Sequence, residues 1–122
     1  MLLSNKNALL IHSALFSKGL KIVESKQADY SGASEPFKNL KACETIGIPA
    51  WKGALVRTLD KISRLNVVAD SRGCTHVAES LVDTTLDACN YLVLTLCLII
   101  ETLSPEQVKM LMDELDVKLE EC

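Results

Sequence analysis

The chain has 122 residues and a formal net charge of −3 at pH 7. This length predicts one domain with its own core, and the negative charge argues against a general nucleic-acid-binding surface, which is usually basic. Apolar residues make up 48% and charged residues 24%, which is typical of a globular chain. Gly and Pro fall between periodic segments, so we expect an all-α helical bundle of four to five helices spanning residues 1–122.

The cysteines and the apolar runs suggest where the protein resides. The five Cys form no C-x-x-C pair and the chain has no clustered His, so a zinc site is not expected. No secretory signal pattern opens the chain. The longest apolar run, Tyr91 to Ile100, has about half the length of a membrane span. We therefore expect a reduced, cytoplasmic protein with no membrane partner.

The first part of the chain predicts two helices joined by a polar loop. Apolar residues recur at a helical period from Ser4 to about Lys26, although Gly19 weakens this segment and suggests a break. Turn-forming residues fill 28–35. A short helix is then expected from Pro36 to about Ile46, ending at Gly47.

The third predicted helix, Trp51 to about Ala69, has two contrasting sides. One side is mostly apolar: Leu55, Leu59, Ile62 and Asn66. The other is charged: Arg57, Asp60, Lys61 and Arg64. Such a charged side is what the solvated face of any amphipathic helix looks like. The alternative is a positive face that meets phosphates, with Asp60 as a metal ligand among the bases.

The fourth predicted helix, His76 to about Glu101, carries three carboxylates four residues apart: Glu79, Asp83 and Asp87. Helical geometry puts them on one stripe, where like charges repel. A metal ion, or Arg and Lys from a neighbouring helix, would offset that charge; a solvated stripe is the plainer alternative. The second half is apolar on nearly every side, which predicts that it is buried.

The last predicted helix starts at Ser104. Ser104 is a suitable cap, Pro105 suits the first turn, and Gln107 can complete a capping box. This helix runs over about 104–120, with an acid-rich end that should fray. We expect it to serve packing or dimerisation.

Several short motifs occur in an order that resembles a known family. They are Lys26-x-x-Asp29-Tyr30-Ser-Gly, Pro36-Phe37-Lys-Asn39, Gly47-Ile48, Arg57-x-x-Asp60-Lys61-x-x-Arg64-Leu65, and Glu79-Ser80-x-x-Asp83-Thr84-x-x-Asp87-x-x-Asn90-Tyr91. Together they resemble the phage-enriched nucleotide-modification-associated domain 1 family, which is similar to the MazG-like all-α nucleoside triphosphate pyrophosphohydrolases. The resemblance covers about residues 22–101.

The resemblance implies a helical bundle that forms a homodimer or higher homo-oligomer and binds a nucleotide or nucleotide-derived small molecule. It implies Mg²⁺ held by Asp60, Glu79, Asp83 and Asp87, the last three also being the catalytic residues. It implies phosphate contacts from Arg57, Lys61, Arg64 and Lys26. It implies contacts to the base or to other ligand groups from Tyr30, Phe37, Asn39, Asn90 and Tyr91.

This chain also departs from the superfamily pattern, and three functions stay open. The third segment lacks the usual E-E-x-x-E run, and Thr84 stands where the E-x-x-D motif has its first acid. The first function is Mg²⁺-dependent hydrolysis of a nucleotide phosphoanhydride in a phage context, within the host cytoplasm. The second is a non-catalytic phage protein that sequesters a nucleotide immune signal as an anti-defence measure. The third is a structural helical interaction protein.

Overall fold

The computed structural model of the chain describes residues 1–29, 39–71 and 77–120, with the backbone alone for 27–29. The described part is mostly helical and contains no strand, which confirms the all-α prediction. Its elements are α1 (Asn5–Asp29), a 3-10 helix (Leu40–Ile46), α2 (Ala50–Asp70), α3 (Val77–Ile100) and α4 (Pro105–Leu115).

Local sequence signals fix several helix ends. Ser104 and Gln107 form the predicted capping box at the start of α4, each side chain bonding to the other's backbone N–H. Gly47 ends the 3-10 helix with φ of 81°, a left-handed conformation that glycine adopts without strain. The predicted α-helical start at Pro36 lies outside the described residues.

The centre of the fold is the antiparallel pair of α2 and α3. Lys61 contacts Asp87, whereas Arg57, one turn earlier on α2, contacts Tyr91, one turn later on α3. From one contact to the next, the residue number falls on α2 and rises on α3. The two helices therefore run in opposite directions. The 3-10 helix is joined to the far end of α3 by an ion pair between Lys41 and Glu101 of 2.8 Å.

Small side chains line the contact between α2 and α3. Ala54, Thr58, Thr84 and Ala88 are all buried there. The Thr58 hydroxyl donates to the backbone carbonyl of Ala54 at 3.0 Å, so this buried polar group is satisfied within its own helix. Side chains of this size let the two backbones approach closely, and for this reason α2 turns its Ala/Thr side, rather than its Leu/Ile side, toward α3.

Gly19 is a contact point of α1 rather than a break in it. The helix continues through Gly19 to Asp29, so the predicted break is wrong. A Cβ at Gly19 would lie 3.2 Å from Asn90 Oδ1 and 3.4 Å from Leu86 Cδ2. The missing side chain therefore lets α1 cross α3 closely at this position.

Many large apolar side chains lie at the surface, and this corrects in part the sequence prediction for α3, although Leu98 in its second half is buried. Its second half was expected to be buried, yet Leu92 is 50% exposed and Leu96 is 38% exposed. The apolar side of α2 is exposed as well, with Leu59 at 58%. The buried apolar cluster instead consists of Ala50, Ala54 and Leu98, with Leu40 and Trp51 packed against it.

Over its full length, α3 is long and apolar enough to cross a membrane by length and composition. The sequence prediction considered only the run from Tyr91 to Ile100 and was too narrow in that respect. Core helices of soluble proteins meet the same criteria, so this property by itself is weak evidence for a membrane location.

Candidate functional site on the charged face of α2 and α3

Most of the predicted site residues lie on one side of the α2–α3 pair, which we call the charged face. On each helix they recur every three or four residues, which places them on a single side. Because the helices are antiparallel and in contact at Lys61 and Asp87, the charged sides of both point the same way. The charged face comprises Arg57, Asp60, Lys61 and Arg64 of α2, and Glu79, Asp83 and Asp87 of α3.

Two contacts join the helices across this face. Lys61 Nζ lies 3.2 Å from Asp87 Oδ2, with the two side chains 26% and 41% exposed. One turn away, Arg57 Nη1 donates a hydrogen bond of 3.4 Å to the Tyr91 hydroxyl. The sequence analysis left open whether a metal ion or a basic residue offsets the charge of the carboxylates. For Asp87, the structure places a basic residue of the neighbouring helix beside it.

The two contacts mark one end of the charged face, and the remaining charged residues lie at the other end. Asp87 offsets the charge of Lys61. Within the described residues, Arg57 contacts a neutral hydroxyl across the helix pair instead of a carboxylate, and Asp60 lies three residues further along the same side of α2. The same antiparallel register places Arg64 level with Thr84, beside Asp83, while Glu79 lies beyond them, so that end is acidic.

The other predicted ligand contacts are placed elsewhere or not described. Asn90 lies against Gly19, so it faces α1 instead of the bases of α2. Asn39 is exposed just before the 3-10 helix, and its side chain caps nothing. Lys26 is exposed near the end of α1. Tyr30 and Phe37 fall outside the described residues, so the prediction for them stays a prediction.

The predicted Mg²⁺ ligands are Asp60, Glu79, Asp83 and Asp87. Within residues 1–29, 39–71 and 77–120, no three His, Cys, Asp or Glu side chains are grouped so that they could hold a metal ion. One carboxylate oxygen of Asp87 is directed at Lys61. These side chains offer no ready donor set, so we derive no step through a metal, and Mg²⁺ binding stays a prediction.

Sequence reasoning missed an apolar groove between α1 and α3. Its volume is about 210 Å³, and Asn90 supplies the one amide side chain of an otherwise apolar lining. The lining residues are Leu15, Phe16, Gly19, Leu20, Val23, Leu86, Cys89, Asn90, Val93 and Leu94. The available signal was Gly19 within an apolar helical period, which indicates close packing as readily as a break.

The chain was compared with protein families, with characterised proteins and with solved structures. No family model matches its sequence, no characterised protein matches it, and no solved structure matches its fold. The geometry of the charged face is therefore the basis for inferring a function.

Proposed function

We propose that the charged face binds a nucleotide or a nucleotide-derived small molecule by its phosphates, at the end formed by Arg57, Lys61 and Tyr91. The observation that carries this proposal is the hydrogen bond of 3.4 Å between Arg57 and the Tyr91 hydroxyl. It orients a guanidinium group on the protein surface without neutralising it. A planar guanidinium can donate two parallel hydrogen bonds to one phosphate group.

The spacing of the bases on α2 supports an anionic partner. Arg57 and Lys61 are four residues apart, and Lys61 and Arg64 are three apart. Like charges at these spacings cost a helix about 0.2–0.5 kcal/mol per pair. Asp87 relieves this repulsion at Lys61, and Asp60 offsets part of it at Arg57 and Arg64, which lie three and four residues away. A phosphate at the Arg57 end would relieve more of it.

Tyr91 gives this end a means of recognising more than a phosphate. Its ring is half-buried in α3, and its hydroxyl is already held by Arg57. A held ring presents a flat apolar surface, and bases stack on such surfaces with about 1–3 kcal/mol each. A phosphate-binding arginine beside an aromatic ring suits a nucleotide better than it suits inorganic phosphate.

Hydrolysis and sequestration both begin with this binding step. The resemblance implies either Mg²⁺-dependent cleavage of a phosphoanhydride or non-catalytic capture of a nucleotide in an anti-defence role. Bound nucleotide released by heat and separated by chromatography distinguishes them: products indicate hydrolysis, and intact ligand indicates capture. Repeating the incubation with and without Mg²⁺ tests whether the reaction requires the metal.

Titration calorimetry with ATP, ADP and inorganic triphosphate tests the binding proposal. We expect Arg57→Gln to weaken nucleotide binding about 10-fold or more, because charge-assisted hydrogen bonds contribute about 1.5–3 kcal/mol. Lys109→Gln on α4 is the matched control, because it removes the same charge from an exposed position outside the charged face. Equal affinity of Arg57→Gln and wild type, or no binding at all, would favour the structural interaction protein.

A further inference from the structure

The α2–α3 pair has a second surface, opposite the charged face, that we call the apolar face. It consists of Leu55, Leu59 and Ile62 of α2 and Leu92 and Leu96 of α3, each between 38% and 58% exposed. On each helix these residues recur every three or four positions and so share a side. The antiparallel arrangement turns both sides in one direction, away from Lys61 and Asp87.

The apolar face carries no charge along its central part. The charged residues of α2 between Gly53 and Asn66 are Arg57, Asp60, Lys61 and Arg64, and the charged residues of α3 are Glu79, Asp83 and Asp87. All seven belong to the charged face. The result is a smooth aliphatic surface, two helices wide, of the kind that is normally buried against another layer of structure.

No described element of the chain covers this surface. α1 packs on α3 through Leu86 and Asn90, which lie on a different side of α3 from Leu92 and Leu96. The 3-10 helix packs on α2 near Gly53, through Cys43. Among the described residues, α4 makes no extensive contact with another helix.

The total accessible surface of the chain is larger than that of a compact monomer of the same mass. The chain exposes 9808 Å², whereas a compact monomer of its mass would expose about 6500 Å². The excess of about 3300 Å² is several times the roughly 800 Å² per partner that a standard stable interface buries. The total area of the chain therefore leaves room for a permanent association.

We propose that the apolar face binds the apolar face of a second copy of this chain, across a two-fold axis, to form a four-helix core from two α2–α3 pairs. A second copy suits this surface because a neutral aliphatic face is complementary to itself under two-fold symmetry. Facing layers of antiparallel helices with such stripes are the ordinary construction of a four-helix bundle.

This arrangement leaves the two charged faces on opposite outer sides of the dimer. Each would then be formed by residues of one chain, so a ligand at one charged face would not need the partner. The inference depends on the apolar face alone and does not require that the charged face bind a nucleotide.

Analytical ultracentrifugation of the full chain and its variants tests the proposal. We expect wild type to sediment at twice the chain mass of 13.4 kDa. Leu59→Lys should weaken the dimer about 100-fold or more, because the new charge would be buried without a partner. The control Met110→Lys, on α4 at a position that is 72% exposed, should keep the dimer mass.

A mixing experiment keeps the test decisive if the variant chain loses its fold. Equal amounts of Leu59→Lys and Leu59→Glu chains should regain the dimer mass, together with any helical circular-dichroism signal that either variant alone had lost. Recovery on mixing supports the proposal. It is overturned if the wild type is a monomer, if Leu59→Lys keeps the dimer, or if mixing restores neither mass nor helix. It is also overturned if the wild type instead floats with phosphatidylcholine vesicles, which would assign the face to a membrane.

Discussion

Substituting Asp87 separates two roles that its carboxylate could have. In the structure this carboxylate lies 3.2 Å from Lys61 Nζ and offsets its charge. If the charged face binds phosphates, Asp87→Asn frees Lys61 and removes a negative charge close to the ligand. The expected result is tighter binding. If Asp87 instead holds Mg²⁺ for the nucleotide, as the family resemblance implies, the same substitution weakens binding.

The size of the effect follows from Coulomb's law. The Lys61–Asp87 contact and the Arg57–Tyr91 contact are one helical turn, about 5.4 Å, apart along the helix axes. A phosphate at Arg57 would therefore lie roughly 7 Å from Asp87. Removing one unit of repulsion at about 7 Å, with an effective dielectric constant of about 40–80, gains about 0.6–1.2 kcal/mol. This corresponds to roughly 3- to 8-fold tighter binding at low salt. Screening should reduce the gain at about 0.15 M salt, where the Debye length is about 8 Å.

Calorimetric titration with ATP, in low salt and without Mg²⁺, measures this change. Asp113→Asn on α4 is the matched control, because it makes the same change of net charge away from the charged face. Losing the Lys61 contact should lower the free energy of unfolding by about 0.2–1 kcal/mol, since the pair is partly exposed. Weaker binding by Asp87→Asn, with Asp113→Asn unchanged, would refute the assignment of Asp87 as a countercharge.

Three further predictions concern packing, capping and thiol reactivity. Gly53→Ala should destabilise the fold by about 1 kcal/mol in urea unfolding, because the added Cβ would lie 2.8 Å from Cys43 Sγ and overpacking outweighs the gain in helix propensity. In a Cys43→Ala background, the same substitution should stabilise the fold. Ser104→Ala removes the cap of α4, so the helical circular-dichroism signal should fall as α4 is lost. The midpoint of urea unfolding should stay unchanged, because α4 packs little against the described helices. A shifted midpoint would contradict this prediction. Burial, and to a lesser extent the Glu101 carboxylate, raise the pKa of the Cys97 thiol, so its alkylation should need a higher pH than an ordinary thiol requires. Glu101→Gln should lower the pH at which Cys97 is alkylated. An unchanged pH dependence of alkylation would contradict the role of Glu101.

The helices themselves could be predicted from local chemistry. The Ser104 cap and the left-handed Gly47 depend on neighbouring residues in the sequence, so both were found in advance. The side of each helix that packs could not be found in the same way. The apolar stripe of an amphipathic helix is ordinarily its buried side, but α2 and α3 meet through Ala54 and Thr84 and leave Leu59 exposed. Which stripe faces inward depends on the backbone separation and on any further chain, and neither follows from periodicity.

The candidate site was predictable to a similar extent. The period of three to four residues groups the bases of α2 on one side. A base from a neighbouring helix is one of the partners expected for the carboxylates, and Lys61 is that partner for Asp87. The family resemblance implies a ligand contact for Asn90, but its side chain faces Gly19 of α1. Asn90 lies near the boundary between the side of α3 that meets α2 and the side that meets α1. Such boundary positions cannot be assigned before the crossing point of a third helix is known.

The measurement that tests the central claim most directly is a nuclear magnetic resonance titration of the labelled protein with ATP. Binding at the Arg57 end of the charged face predicts saturable shifts of the Arg57 side chain, the Lys61 backbone amide and the Tyr91 ring. It predicts little change at Leu59 on the apolar face and at Lys109 on α4. Shifts confined to other parts of the chain, or no saturable shift at millimolar nucleotide, would contradict the claim.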